Sequence, residues 1–226
     1  MRIISLLSAL VALVAFGPIQ TVQAAKRDAS KVITIVALGD SLTAGYGLSR
    51  KEAYPALIAE RMRSAGYEFE VTNAGWSGDT TAGALRRLPE ILRRKKIDIL
   101  IIELGINDAF RGVPIDEMRS NLQAIIDQTR ARHPAVSIIV AGMQLPLAAS
   151  DWYVRAFGEM FGALAEKNRA ALIPYLLEGV GGDPALNQTD LVHPNAAGQR
   201  IMAENVWRVL EPILRKTTAN GSAHVD

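Results

Sequence analysis

The sequence predicts an α/β fold in which a parallel sheet is covered by helices on both faces. Three observations predict it. Short runs rich in Val and Ile recur from about residue 31, the segments between them carry apolar residues at helical spacing, and no composition break marks a second domain. A length of 226 residues suits one domain with a sizeable core.

The first 25 residues stand apart. Arg2 is their only charge, an apolar stretch from Ile3 to Phe16 follows, and Gly17-Pro18 leads into "TVQAAK". This is the charged, apolar and small-residue order of a secretory signal, with cutting expected after Ala24, so 1–24 is read as a signal peptide. The apolar core is short of the ~20 residues a spanning helix needs, which favours export with cleavage over retention as an anchor. Localisation is then the periplasm or outside the cell.

The strands are expected at 32–38, 68–72, 97–104, 136–143 and, less clearly, 170–175. "IDILIIEL" at 97–104 is apolar on both faces until Glu103, which suits a central parallel strand. A helix over 52–65 places Tyr54, Leu57, Ile58, Arg61 and Met62 on one side. Residues 115–132 repeat Met118, Leu122, Ile125 and Ile126, and the last helix, about 195–214, repeats Ile201, Val206, Leu210 and Ile213. Strand followed by helix, repeated, implies right-handed crossovers. The domain is drawn over 31–216, and the polar stretch 217–226 is read as a flexible tail.

Composition narrows the function. Net charge is only +2, with basic residues spread along the chain, so no electrostatic case exists for nucleic acid. The densest run, Arg93-Arg94-Lys95-Lys96, suits the C-terminus of a helix. The absence of cysteine removes thiol nucleophiles and zinc-thiolate sites. "GDSLTAG" lacks the lysine of a phosphate-binding loop.

In open parallel sheets, ligands bind beyond the carboxyl ends of the strands. There stand Gly39-Asp40-Ser41, then 73–79, then Gly105-Ile106-Asn107-Asp108. Nucleophilic catalysis needs a hydroxyl, a base and a group that orients the base. Of three histidines, His133 precedes Pro134 at a helix end and His224 lies in the tail, which leaves His193. Asp190, three residues earlier, can fold back onto the imidazole. Ser41 ends a strand, although a helix N-cap is the plainer reading of it. Developing negative charge would need donors, and Ser41 N–H, Gly78 N–H and the Asn107 amide are the candidates. Asp40 and Asp108 read as acceptors bracing their loops. A metal-dependent phosphoesterase built on Asp40, Asp79, Asp108, Asp190 and His193 is the runner-up. A non-catalytic binding protein would require the Ser41, Asp190 and His193 set to be coincidence.

Together "GDSLTAGYG", "NAGWSGDTTAG", "LGIND" and "DLVHPNAAG" resemble, in order, the four blocks of the GDSL esterases within the SGNH hydrolase superfamily. The resemblance spreads over 38–198 and is closest to bacterial periplasmic arylesterase, acyl-thioesterase and lysophospholipase members. It implies a three-layer α/β/α fold with a flavodoxin-like five-stranded sheet. It also implies Ser41 as nucleophile, His193 as base, Asp190 as its orienting acid, and Ser41, Gly78 and Asn107 as the oxyanion hole. Where close members often carry a second glycine, this chain has Ile106, which changes the acyl pocket. Ile106, Trp76 and Trp152 are the expected substrate-contacting residues. The expected substrates are small acyl esters or thioesters, with a carbohydrate O-acetyl esterase as a variant reading. No cofactor, no metal, no nucleic acid and a monomeric state are expected, with no membrane span once the signal is removed.

Overall fold

The computed structural model describes residues 32–94, 96–145 and 152–222, with side chains through 217. The signal segment 1–24, Lys95, Pro146, His224 and the end of the tail lie outside the described residues.

Five parallel strands form one sheet: β1 (Ile33–Gly39), β2 (Phe69–Gly75), β3 (Ile99–Glu103), β4 (Ser137–Ala141) and β5 (Ala171–Ile173), in spatial order β2-β1-β3-β4-β5. This is a flavodoxin-like order, with its reversal between β1 and β3. Every residue of β1 and β3 is buried, whereas β2 at the sheet edge is partly exposed along its length. The difference explains why β1 and β3 read as mostly apolar runs, Thr34 and the terminal Glu103 apart, while β2 mixes Glu70, Thr72 and Asn73 into its pattern.

The helices are α1 (Ser41–Ala44), α2 (Tyr54–Ser64), α3 (Thr81–Arg94), α4 (Ile106–Phe110), α5 (Ile115–Arg132), α6 (Trp152–Lys167) and α7 (Ala196–Ser222). Helices α2 and α7 pack together, as do α3 with α5 and α5 with α6, so the sheet has helices on both sides. The stripe predicted for α5 faces inward; in α2 Tyr54, Ile58 and Met62 are buried but Arg61 is exposed, and in α7 Val206 and Leu210 are buried while Ile201 and Ile213 are only partly so. Met118, Leu122, Ile125 and Ile126 of α5 are buried, as are Phe157, Met160 and Phe161 of α6. Burying each such side chain fully is worth about 1.5–3 kcal/mol, which fixes the rotation of each helix about its axis. Helix α7 runs on to Ser222, past the Lys216 at which the folded domain was expected to end. Within that extension Thr217 donates its hydroxyl to the Ile213 carbonyl at 2.9 Å.

Register sets up the site. Gly39 lies opposite Gly75 on one side and Glu103 on the other, so three strands end level with one another. Gly39 has to be glycine: a Cβ there would lie 2.0 Å from Thr43 Oγ1 and 2.6 Å from Glu103 Oε2. Arg87 of α3 ties the strand ends, donating to the carbonyls of Ala74 at 2.8 Å and Gly39 at 3.1 Å.

Candidate active site

Beyond Gly39 the chain turns straight into α1, and the cap of that helix is Asp40. Its Oδ1 accepts from Leu42 N–H at 3.0 Å. Ser41 therefore occupies the first helical position, and its hydroxyl is not used as the N-cap. Ser41 is 8% exposed, and its Oγ lies 3.0 Å from His193 Nε2. The two residues stand 152 positions apart in the chain.

His193 is carried on a tight reversal. Gln188 N donates to His193 O at 2.7 Å, and Asn187 bridges Pro194 in antiparallel fashion, so Thr189 to Val192 form the tip of a hairpin. Within that tip, Asp190 Oδ1 accepts from the N–H groups of Val192 and His193, both at 3.0 Å. Asp190 Oδ2 lies 2.7 Å from His193 Nδ1. The backbone N–H of His193, then its ring, then the N–H of Val192 hold the Asp190 carboxyl down to about 2. An ionised Asp190 obliges Nδ1 to be the donor, which leaves the Nε2 lone pair to accept from the Ser41 hydroxyl. Two contacts outside the hairpin brace it. Gln188 Nε2 donates to the Tyr46 carbonyl at 2.7 Å, and the Tyr46 ring sits 4.6 Å from the imidazole, centroid to centroid.

The candidate oxyanion donors come from two more strand ends. Asn107, in the first turn of α4, donates one amide N–H to Asp40 Oδ2 at 2.9 Å. An amide carries a second N–H, and Asn107 also lines the cavity beside Ser41. Gly78 sits in the turn that Asp79 N closes onto Trp76 O, with a φ of +79° that strongly favours glycine. Its carbonyl accepts from Arg111 at 2.9 Å, which ties this turn to the end of α4.

Behind the nucleophile lies a feature the sequence did not single out as functional. Glu103 is fully buried, and its Oε2 accepts from the Thr43 hydroxyl at 2.7 Å and from Asp40 N–H at 3.2 Å. The Asp40 carboxyl is also buried, and the two carboxyls act on one another electrostatically. Burial, foremost, lifts Asp40 to about 6; burial and then the Asp40 charge push Glu103 well above its ordinary value. Burial and the repulsion between the two carboxylates both favour the protonated form of this pair.

A cavity of about 410 Å³ opens from Ser41 and His193. Its apolar lining comes from Ile106 and Phe110 of α4, Met143 and Leu145 after β4, and Tyr175 and Leu177 after β5. Leu191 and Val192, from the hairpin tip, complete it. Ile106, one of the three expected substrate-contacting residues, lines the cavity. Trp76 and Trp152 do not line the cavity: they are 67% and 68% exposed, Trp76 beyond the end of the edge strand and Trp152 at the start of α6. The remaining loop carboxylates have internal partners. Asp79 pairs with Arg87 at 2.7 Å, and Asp108 accepts from the Thr81 N–H at 2.9 Å and hydroxyl at 2.6 Å. Among the described residues, no group of three or more His, Cys, Asp or Glu side chains is arranged to hold a metal ion.

The sequence model of the GDSL-like Lipase/Acylhydrolase family matches residues 37–201, from the end of β1 into α7. The chain belongs to that family. Esterase TesA of Pseudomonas aeruginosa is 39% identical over 80% of this chain and 89% of its own. Thioesterase 1/protease 1/lysophospholipase L1 of Escherichia coli K12 is 32% identical over 80% and 85% respectively. Among solved structures, the psychrotrophic esterase EstA from Pseudoalteromonas, inhibited by monoethylphosphonate, is 30% identical, with a TM-score of 0.75 over 80% of this chain and 98% of its own. The reaction class of this GDSL-family chain is ester hydrolysis by a serine mechanism. Among the described residues, no helix is long and apolar enough to cross a membrane.

Proposed function

We propose that the chain hydrolyses small acyl esters and thioesters through an acyl-enzyme formed on Ser41. One observation carries this reading: Ser41 Oγ, His193 and Asp190 form an unbroken hydrogen-bonded line, 3.0 Å on one side of the imidazole and 2.7 Å on the other. His193 takes the Ser41 proton as Oγ attacks the carbonyl carbon. The N–H groups of Ser41 and Gly78 and the free amide N–H of Asn107 receive the oxyanion. Protonated His193 gives its proton to the departing alcohol or thiol. Water then attacks the acyl carbon as it loses a proton to His193, and His193 returns that proton to Ser41 Oγ as the carbon–Oγ bond breaks and the acid leaves.

The apolar lining and modest size of the cavity favour a single acyl chain over a polymer, with aryl esters, acyl-CoA-like thioesters and lysophospholipids as the substrate set. Export with loss of residues 1–24 and action as a monomer complete the reading; amino-terminal sequencing and light scattering on the secreted protein test them. The decisive assay compares wild type with Ser41→Ala on aryl esters of graded acyl length, acyl-CoA, a lysophospholipid and an acetylated sugar. Loss of all turnover in the variant is expected. Retained turnover with chelator sensitivity would move the reaction to metal chemistry, and activity on the acetylated sugar alone would change the substrate.

A further inference from the structure

The tip of the His193 hairpin contains an anomaly. Among the described residues only two non-glycine residues have a positive φ, Arg169 at +48° and Leu191 at +58°. Arg169 is ordinary: it follows the last turn of α6, where a left-handed residue commonly ends a helix. Leu191 ends no helix. The hairpin tip needs a left-handed residue to reverse, a need that glycine or asparagine meets with little strain. A branched apolar side chain there is unfavourable, and Leu191 recovers nothing from the core, being 50% exposed. What it does touch is the cavity, beside Ser41 and His193. Backbone strain that no packing explains is most often kept for function.

We propose that Leu191 is a specificity-determining residue, an apolar wall that the acyl chain of the substrate covers as it enters the cavity, so that longer straight-chain acyl groups are preferred over acetyl. This deepens the esterase reading and rests on it. Three features of the site point the same way. Leu191 lies between the two residues that polarise the serine, so its backbone is held in the same hairpin tip by the Asp190 hydrogen bonds to the Val192 and His193 N–H groups. Its own N–H is anchored to the Gln188 carbonyl at 2.9 Å, so the half-exposed side chain is presented from a held backbone. Val192, 45% exposed, and Phe110, 58% exposed, add apolar surface at the same cavity from the hairpin and from α4. An acyl chain long enough to lie across these residues would remove their apolar surface from water, and an acetyl group would not.

The test uses Leu191→Gly, which removes both wall and strain, Leu191→Ala, which removes the wall alone, and Leu191→Met, which restores an apolar wall. The readout is the ratio of kcat/KM for octanoyl over acetyl p-nitrophenyl esters. The ratio is expected to fall about fivefold to twentyfold in the Gly and Ala variants and to stay within about twofold of wild type in the Met variant. Leu191→Gly should also melt no lower than wild type, with a rise of about 2 °C expected from relieved strain. An unchanged ratio in both small variants overturns the inference. So does an equal loss on both esters, which would make Leu191 a positioning residue for Asp190 and His193. Neither result touches the esterase reading, which fails only if Ser41→Ala still turns over these esters.

Discussion

The corner that carries Ser41 and the hairpin that carries His193 are held in place by opposite means. Ser41 sits where two fully buried strands end, with Asp40, Thr43 and Glu103 buried beneath it and the Thr43 and Glu103 side chains packed against Gly39. Asp190 and His193 ride on an exposed reversal, held by hydrogen bonds that span two or three residues and by the outside contacts of Gln188 and Tyr46. The nucleophile is thus placed by long-range packing and the base by local backbone geometry. A site assembled in this way can keep its reacting atom rigid while the loop that activates it remains open to solvent and substrate.

The contrast is sharpest in what each half loses when altered. Ser41→Ala and His193→Ala should each reduce kcat by about 10⁴-fold or more, and the double variant should be hardly worse than either, because the pair acts as a unit. Circular dichroism melts of both should match wild type, since neither side chain supports the core. Asp190→Asn comes next. It keeps an oxygen for the Val192 and His193 N–H groups but removes the charge that sets the tautomer, so kcat is expected to fall on the order of 10²–10⁴ with the hairpin intact. Asn107→Ala is expected to lower kcat by about 10²–10³ with little change in KM, as the loss of an oxyanion donor would. An effect on KM alone would make Asn107 a binding residue.

The buried acid pair under Ser41 gives the smallest effect on activity and a distinct one on stability. Asp40 and Glu103 both have raised values in the folded protein, so they contribute stability that is full below their ordinary range. That contribution is lost as pH rises, for Asp40 between 3.8 and about 6 and for Glu103 beyond its own ordinary value. Asp190 has the opposite sign: its contribution is present above 3.8 and fades as pH falls toward about 2. Glu103→Gln supplies a permanently neutral partner for Asp40. Its melting temperature should fall less than that of wild type between about pH 5 and about pH 8. Parallel curves for the two proteins would show that Glu103 is not the protonated member.

The same division decides what could be read from the chain before folding. Strands β1 and β3 are legible because burial on both faces leaves them mostly aliphatic, Thr34 and the terminal Gly39 and Glu103 apart, and α5 because Pro114 precedes it and His133-Pro134 ends it. Helix α3 is harder to delimit, since it carries Pro89 inside, and α7 carries Pro212 and still runs to Ser222. Local chemistry survives in sequence: Asp190 and His193 are three apart, and Asp40 and Ser41 adjoin. What braces them does not. Gln188 reaches Tyr46 across 142 positions, Thr43 reaches Glu103 across 60, and Arg87 reaches Gly39 across 48, pairings that no local pattern announces. Trp76 in the glycine block and Trp152 after the fourth strand are the walls that position along the chain suggests, yet the cavity is walled by α4, by residues after β4 and β5 and by the hairpin tip.

The most direct measurement is covalent labelling by a serine-directed phosphonate ester, followed by intact mass and peptide mapping. One adduct is expected, on the peptide containing Ser41, with labelling absent in Ser41→Ala and slowed at least about a hundredfold in His193→Ala. An adduct on another residue, or full hydrolytic activity in a protein that takes no label at Ser41, would contradict the placement of the reaction at the meeting point of corner and hairpin.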